Sequence, residues 1–291
     1  MTPEFRRITQ IVRPQLVIEG AGVRLRRSIA GRALNHLDPF LLFDHFASSN
    51  PADYLAGFPM HPHRGIETVT YMLAGVVNHR DSLGNAGTIG AGDVQWMTAG
   101  GGIMHEEMPQ PVDGQMAGFQ LWVNLPARLK MTRPRYQEIS AATIPEVGRA
   151  DGVRIRVIAG VVDGVAGPVT EIVAEPTYLD VTVPAETEFI HPIARGHAAF
   201  AYLFEGAAAF EKADLPASEA TGAALVAPRL IAYGDGDAIA LRAGASAGRF
   251  LLVSGRPLGE PIVRYGPFVM NTEREIEEAL LDLKRGMFVR R

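Results

Sequence analysis

Short apolar segments alternate with glycine and proline turns along almost the whole chain, with about 8 to 12 residues between successive turns. This spacing is typical of an all-β sandwich or barrel. The alternation of apolar and polar positions is cleanest over residues 119–125, as expected for a strand with one buried face. The pattern predicts strands over residues 15–19, 67–73, 94–97, 119–124, 153–159, 178–183, 198–204 and 249–253.

The strand pattern falls into two β-rich halves of similar size. Residues 126–152 are richer in Pro, Arg and polar residues than their flanks, which predicts a bridging segment. A Gly-Asp turn precedes an apolar segment in each half, and Gly206 stands 131 residues after Gly75 in a similar setting. We therefore predict a duplicated β domain, with one copy in residues 1–135 and the other in residues 136–291.

Helical periodicity is clear only at the C-terminus. Thr272 followed by Glu275 forms a capping-box signature, and Gly286 supplies a stop signal. Between them the apolar residues recur on one face, at Ile276, Ala279, Leu280 and Leu283. We expect this helix to have a structural role, packed against a sheet or against the other half of the chain.

Composition narrows the chemistry that the chain can perform. The 291 residues are 47% hydrophobic and 21% charged, as in a globular protein with a large core. The chain has no cysteine, which excludes disulfides, thiolate nucleophiles, iron–sulfur clusters and sulfur-ligated metal sites. The net charge of −4 is dispersed without a basic patch, so direct nucleic-acid binding is not expected. No apolar signal core or membrane-length segment is present, and we expect a cytoplasmic protein without membrane contact.

Two pairs of residues have the spacing of metal ligands on strands. Residues i and i+2 of a strand point to the same face, so His61 with His63, and His105 with Glu107, could each converge on one ion. An isolated His-x-His is about as often a chance or a surface turn as a metal site. The sequence context has to decide between these readings.

Long strings around these histidines resemble the pirin family of the cupin superfamily. Two histidines and a glutamate on one strand, with a third histidine across a hairpin, also look like the two-part cupin metal motif. The strings that carry the resemblance are LDPFLLFD at 37–44, GFP at 57–59, HPHRGIETV at 61–69, GDVQWMTAG at 92–100, HEEMP at 105–109, QLWVNL at 120–125 and GPFVMNT at 266–272.

The resemblance implies two cupin barrels that face each other, with a C-terminal helix, and one mononuclear iron site in the N-terminal barrel. The positions that match the pirin ligands are His61, His63, His105 and Glu107. Fe(II) is the expected ion, and a set of three imidazoles and one carboxylate also suits Mn, Ni, Cu or Zn. Many cupins use instead the glutamate four residues after the second histidine, which here is Glu67.

The role of Glu67 has three interpretations. We assign it to hydrogen bonding with the metal-ligating side chains or to an ion pair with Arg64, and a buried structural carboxylate is nearly as good an explanation.

The second half lacks the ligand set. An offset of 131 places Pro192, Ala194 and Ala198 where His61, His63 and Glu67 stand, so we expect no metal there. The remaining histidines are expected to be ordinary surface or packing residues, with His79 in a solvated loop: His36, His45, His79, His191 and His197.

Some pirins resemble cupin quercetinases, which implies a dioxygenase that cleaves a flavonol with O2 and releases carbon monoxide. Glu107 would then serve as a ligand and as the base that accepts the flavonol hydroxyl proton. Apolar walls for a flat ligand are expected from Phe58, Ile103 and Met104, with Arg64 or Gln120 to orient it. For each of these five residues taken singly, simple barrel packing or a local ion pair is the favoured explanation.

Three other functions remain open at this point. Pirins also act as iron-dependent regulatory proteins that bind a transcription factor or a metabolic enzyme. A different cupin reaction on another small molecule is compatible with the same fold. A closed metal site that only stabilises the barrel is the third alternative.

Overall fold

The computed structural model describes residues 3–111, 114–210 and 224–289, which form β-strands and one α-helix. The strands are β1 (Ile8–Val12), β2 (Gln15–Glu19), β3 (Val23–Ile29), β4 (Phe40–Ser48), β5 (Phe58–His63), β6 (Ile66–Ala74), β7 (Val76–Asp81), β8 (Ala86–Ile89), β9 (Val94–Thr98), β10 (Ile103–Gln110), β11 (Met116–Asn124), β12 (Arg135–Ile139), β13 (Glu146–Gly148), β14 (Arg154–Ala159), β15 (Val161–Val162), β16 (Val165–Ala166), β17 (Thr177–Val183), β18 (Glu188–Pro192), β19 (Ala198–Glu205), β20 (Ala207–Phe210), β21 (Leu225–Val226), β22 (Arg229–Tyr233), β23 (Ala238–Ala243), β24 (Gly248–Gly255), β25 (Val263–Tyr265) and β26 (Phe268–Met270). The helix α1 spans Glu273–Lys284, and short 3-10 turns span Pro51–Asp53, Ala127–Leu129 and Ala141–Thr143. All eight predicted strands are confirmed.

The chain forms two compact units, and each unit is built from two segments that are far apart in the sequence. The first barrel comprises Gln15–Ala141 and Leu258–Arg291, and the second comprises Met1–Pro14 and Ala142–Pro257. The predicted boundary at residues 135 and 136 misses this exchange. Strand β1 pairs with β22 of the second barrel, and α1 packs on β26 in the first. A hydrophobic pattern identifies strands but does not say which sheet a terminal strand joins.

The two barrels have the same strand order. In the first, one sheet runs β12-β9-β6-β11-β4-β3-β2 and the other runs β5-β10-β7-β8. In the second, the sheets run β1-β22-β19-β24-β17-β14-β13 and β18-β23-β20-β21. The strand pairs within these four sheets are antiparallel, which is the arrangement of a double-stranded β-helix barrel.

Two glycines mark the duplication in the chain. Gly75 follows β6 with φ +84°, and Gly206 follows β19 with φ +74°. A Cβ atom would lie 2.7 Å from the Gln115 carbonyl oxygen at the first position and still closer to the Ala247 oxygen at the second. Both turns therefore require glycine for conformation and for space.

The interiors of the two barrels differ in chemistry. The second barrel is filled by one apolar cluster that includes Leu179, Ala201, Ile239, Leu241 and Leu252. In the first barrel the inner faces of the two sheets meet through polar groups, and one example is Thr70 of β6 within hydrogen-bond distance of Glu107 on β10. The same topology thus builds a solid core in one case and a polar interior in the other.

Helix α1 has the predicted capping box, in which Thr272 and Glu275 each bond the other's backbone amide. Ile276 and Ala279 are buried against β26, whereas Leu280, predicted on the same face, is 37% exposed. Among the described residues, no helix combines the length and the apolar character that crossing a membrane requires.

A buried lysine ties the last segment of the chain to the strands of the first barrel. Lys130 is 1% exposed, and its Nζ donates to the Gly65 carbonyl at 2.9 Å, to Asn124 Oδ1 at 2.8 Å and to the Val269 carbonyl at 2.9 Å. Its three protons match these three acceptors. Gly65 lies two residues after His63, so this bond network holds the end of the His-x-His segment close to β26.

We expect Lys130→Met to destabilise the protein, because it leaves three buried oxygen atoms without a donor. The expected loss in the free energy of unfolding is about 3 kcal/mol or more, measured by urea titration. The exposed Lys284→Met is the matched control and should change stability by less than about 0.5 kcal/mol. Equal effects of the two substitutions would contradict the role assigned to Lys130.

Candidate metal centre

Two neighbouring strands bring three histidines together. His61 and His63 lie on β5, His105 lies on β10, and the antiparallel register sets His105 opposite His61. The i, i+2 spacing turns both β5 rings to the same side of the sheet. One ring nitrogen from each histidine lies within 4.8 Å of the others, and the two Nε2 atoms on β5 are 3.1 Å apart. The structure thus assembles the predicted histidine cluster.

Hydrogen bonding fixes which nitrogen of His61 is available. Its Nδ1 lies 3.0 Å from the Pro59 carbonyl oxygen, which can only accept, so Nδ1 carries the proton. The Nε2 atom that faces the cluster therefore presents a lone pair, as a metal ligand must.

Burial keeps the two deeper histidines neutral. Desolvation holds the pKa of His63 well below its usual range, and the neighbouring His61 lowers it further. Desolvation likewise lowers the pKa of His105, with contributions from His63, His61 and His79. Neutral imidazole is the form that binds metals.

His105 also provides a test of whether this donor set fits a metal. The residue is 1% exposed, and among the described residues neither of its ring nitrogens has a hydrogen-bond partner. An unpaired buried polar atom costs about 1–3 kcal/mol. A cation bound among the three rings would remove this cost, so the residues present fit a nitrogen-ligated ion.

Glu107 lies on the same strand as His105 but is not among the side chains whose ligand atoms lie within 4.8 Å of one another. It follows His105 by two residues on β10, across a register shift, and its Oε1 is 3.0 Å from the Thr70 hydroxyl. The group of side chains within 4.8 Å of one another contains the three histidines and not this carboxylate. Glu107 as a fourth ligand stays a prediction.

A cavity of about 580 Å³ opens beside the cluster. Its lining includes His61, His63 and Glu107, together with the predicted pocket residues Phe58 and Gln120. The volume falls in the range of small-molecule sites. A ligand in this cavity would therefore reach the histidine cluster.

The other three predicted pocket residues do not line this cavity. Arg64 is buried, pairs with Asp282 at 2.9 Å and lies over the Phe288 ring at 4.4 Å, so it anchors the C-terminal segment. Ile103 belongs to an apolar cluster of the core, and Met104 packs against the cluster formed around α1. Met104 neighbours His105 on β10 and therefore faces the opposite side of that strand. Sequence proximity to a ligand was a poor guide for these three residues.

Glu67 faces away from the histidines. Its carboxylate accepts from Thr98 Oγ1 at 2.7 Å and from Trp96 Nε1 at 3.1 Å. It is three residues from Thr70 on β6, and alternation puts the two side chains on opposite faces of the strand. With these two partners, Glu67 is a buried structural carboxylate.

One of the other histidines was placed wrongly. His79 is buried on β7, 3.0 Å from Glu138 and stacked on Tyr136, and is not a solvated loop residue. His191 on β18 is buried and its ring stacks on Phe189, which is a packing role, as predicted.

The remaining three histidines are unremarkable. His45 is buried on β4 against Phe119, and burial lowers its pKa to about 4. His36 is exposed and His197 is half-buried.

Part of the cavity wall was missed by the sequence analysis. It comprises Leu25, Arg27, Leu42, Asp44, Phe46, Trp122 and Arg264. Asp44 and Trp122 stand in strings already quoted for the family resemblance, which was the available signal. Arg264 comes from β25, far away in sequence, and nothing local connects it to the histidines.

Comparison with known proteins agrees with this geometry. The sequence profile described as Pirin matches residues 22–123, and the profile for the pirin C-terminal cupin domain matches residues 178–289. A Pseudomonas aeruginosa protein named "Putative quercetin 2,3-dioxygenase" is 47% identical over 92% of this chain and 93% of its own length. A pirin-like protein of Caulobacter vibrioides is 43% identical over 97% of this chain and 99% of its own.

A solved structure extends the likeness to three dimensions. The crystal structure of quercetin 2,3-dioxygenase from Acinetobacter baumannii has a TM-score of 0.87 and 34% identity, and 98% of each chain is covered. The two predicted cupin barrels are thereby confirmed. On its fold, its histidine cluster and these relatives, the chain belongs to the pirin family.

Proposed function

We propose that this protein is a metal-dependent dioxygenase that cleaves a flavonol such as quercetin with O2. The proposed site is one divalent ion held by His61, His63, His105 and Glu107. The observation that carries the proposal is the unpaired, buried imidazole of His105 next to His61 and His63, which line a cavity of about 580 Å³. The relatives named as quercetin 2,3-dioxygenases support the choice of reaction.

The donor set favours an ion of borderline character. Three nitrogens and one carboxylate suit Fe(II), with Mn, Ni, Cu and Zn as further possibilities, and they suit Mg and Ca poorly. We propose Fe(II). When bound, the ion supplies the Lewis acidity and the redox chemistry that the reaction of a flavonol with O2 requires.

The protein's own groups would bind and orient the substrate. Phe58 and Trp122 give the cavity aromatic surface that suits a flat ring system. Glu107 is the group that would accept the substrate hydroxyl proton. The Thr70 hydroxyl, 3.0 Å from Glu107 Oε1 and 2.8 Å from Gln120 Oε1, would restrict the carboxylate to one orientation.

The position of the histidines predicts how metal binding responds to substitution. His61→Ala and His105→Ala should each reduce bound metal from about one ion per chain to near zero after dialysis, because each removes one of few ligands. Elemental analysis of purified protein measures this directly.

Glu67→Gln is the matched control, since Glu67 is a buried carboxylate in the same barrel that faces away from the cluster. It should retain the metal. The site assignment would be wrong if both alanine variants kept stoichiometric metal, or if Glu67→Gln lost it while remaining folded by circular dichroism.

Oxygen uptake with quercetin tests the proposed reaction. We expect about one O2 consumed and one carbon monoxide released for each quercetin, with activity lost on chelation and restored by Fe(II). One bound metal per chain without oxygen uptake would contradict the dioxygenase proposal. That outcome would favour the regulatory role, in which the metal site serves binding to a protein partner.

A further inference from the structure

The wall of the cavity contains two arginines in different electrostatic surroundings. Arg27 is neutralised: its guanidinium bonds both oxygens of Asp44, at 2.9 and 2.7 Å, and pairs with Glu19 at 2.7 Å. Arg264 has no carboxylate partner among the described residues. The cavity therefore has one arginine whose positive charge is not compensated by an ion pair.

Arg264 is connected to the histidine cluster through an aromatic ring. Its Cζ lies 4.7 Å from the centroid of the Trp122 ring, a cation–π distance. The Trp122 ring in turn meets the His63 ring edge to face, with centroids 5.1 Å apart. A guanidinium, an indole and an imidazole thus follow one another along the cavity wall.

Hydrogen bonds hold this guanidinium while leaving part of it free. Nε donates to the Gly266 carbonyl at 3.3 Å, and one Nη donates to the Leu41 carbonyl at 3.4 Å. The other Nη makes no hydrogen bond to any described residue. Two backbone contacts therefore hold the plane of the group and leave N–H donors for a ligand.

We propose that Arg264 binds an anionic oxygen of the substrate, so that the site selects aromatic substrates with an acidic oxygen, a phenolate or a carboxylate, remote from the reacting end. The role of Arg264 deepens the proposed function and rests on it, because the proposed function defines which part of the substrate reacts at the metal site. Arg264 and His63 each contact the Trp122 ring, and in this proposal the oxygen bound by Arg264 is a different group from the one presented to the histidine cluster. Arg264 is then a specificity-determining residue of the cavity.

Arg264 keeps its positive charge in these surroundings. Burial lowers its pKa, and the nearby positive charge of Arg27 lowers it further, against opposing effects of Asp44 and Glu19. Arginine remains protonated throughout the usual pH range. A charge-assisted contact to such a group is stronger than a neutral one, so a neutral ligand of the same shape should bind more weakly.

The experiment compares an aromatic acid with its neutral analogue on metal-free protein. We would titrate 2-naphthoate and 2-naphthalenemethanol and follow the quenching of tryptophan fluorescence. The wild type should bind the acid about tenfold more tightly, and Arg264→Gln should abolish that preference while leaving the affinity for the alcohol within about twofold. Arg264→Lys should keep part of the preference.

Arg26→Gln is the matched control, because it removes the same charge from the neighbouring position of Arg27 on β3, where the side chain faces the opposite side of the sheet. It should leave the preference unchanged. Equal affinity of the wild type for acid and alcohol would overturn the proposal. A preference that persists in Arg264→Gln, or one that falls equally in Arg26→Gln, would overturn it too.

A second titration separates this proposal from the flavonol hypothesis. Zn(II)-loaded protein, which does not turn over, is titrated anaerobically with quercetin and with 3-hydroxyflavone, which lacks the remote hydroxyls. Tighter binding of quercetin that disappears in Arg264→Gln would support a phenolate as the bound group. Failure of both flavonols to bind, with the naphthoate preference intact, would contradict the flavonol substrate and retain the carboxylate class for Arg264.

Discussion

The candidate site depends on the register of β10 against β5. With His105 on β10 opposite His61 on β5, the rings of His61, His63 and His105 converge inside the first barrel. A shift of one residue would turn the β10 side chain to the other face of the sheet and disperse the cluster. Pairing of the two strands sets this register, and Lys130 holds Gly65, which follows β5, close to β26. The imidazole nitrogens left unpaired are what an ion would satisfy.

The two barrels show how one topology can serve two purposes. The first barrel holds the histidine cluster, whereas the interior of the second contains an apolar cluster that includes Ile239. The second barrel has a close-packed core, and the first replaces part of its core by polar groups and a cavity. The exchanged terminal segments matter here. The segment that joins the first barrel brings Arg264 into the cavity wall, and it supplies Asp282, the ion-pair partner of Arg64.

The sequence was most informative where periodicity or spacing has a direct geometric meaning. The strands, the capped helix and the three histidines follow from periods of 2 and 3.6, and the structure has them where they were predicted. The single domain boundary failed because strand pairing across distant segments leaves no local signal. Arg64 and Met104 failed as pocket residues for a related reason: closeness to a ligand in sequence says nothing about which neighbour a strand residue faces.

The central claim is that the three histidines and Glu107 hold one ion. Crystals of protein loaded with Co(II), measured at the cobalt absorption edge, test it most directly. The account predicts one anomalous peak in the first barrel, within about 2.0–2.2 Å of a nitrogen from each of His61, His63 and His105 and of an oxygen from Glu107. A peak bonded to Glu67, or no peak at the histidine cluster in fully loaded protein, would contradict it.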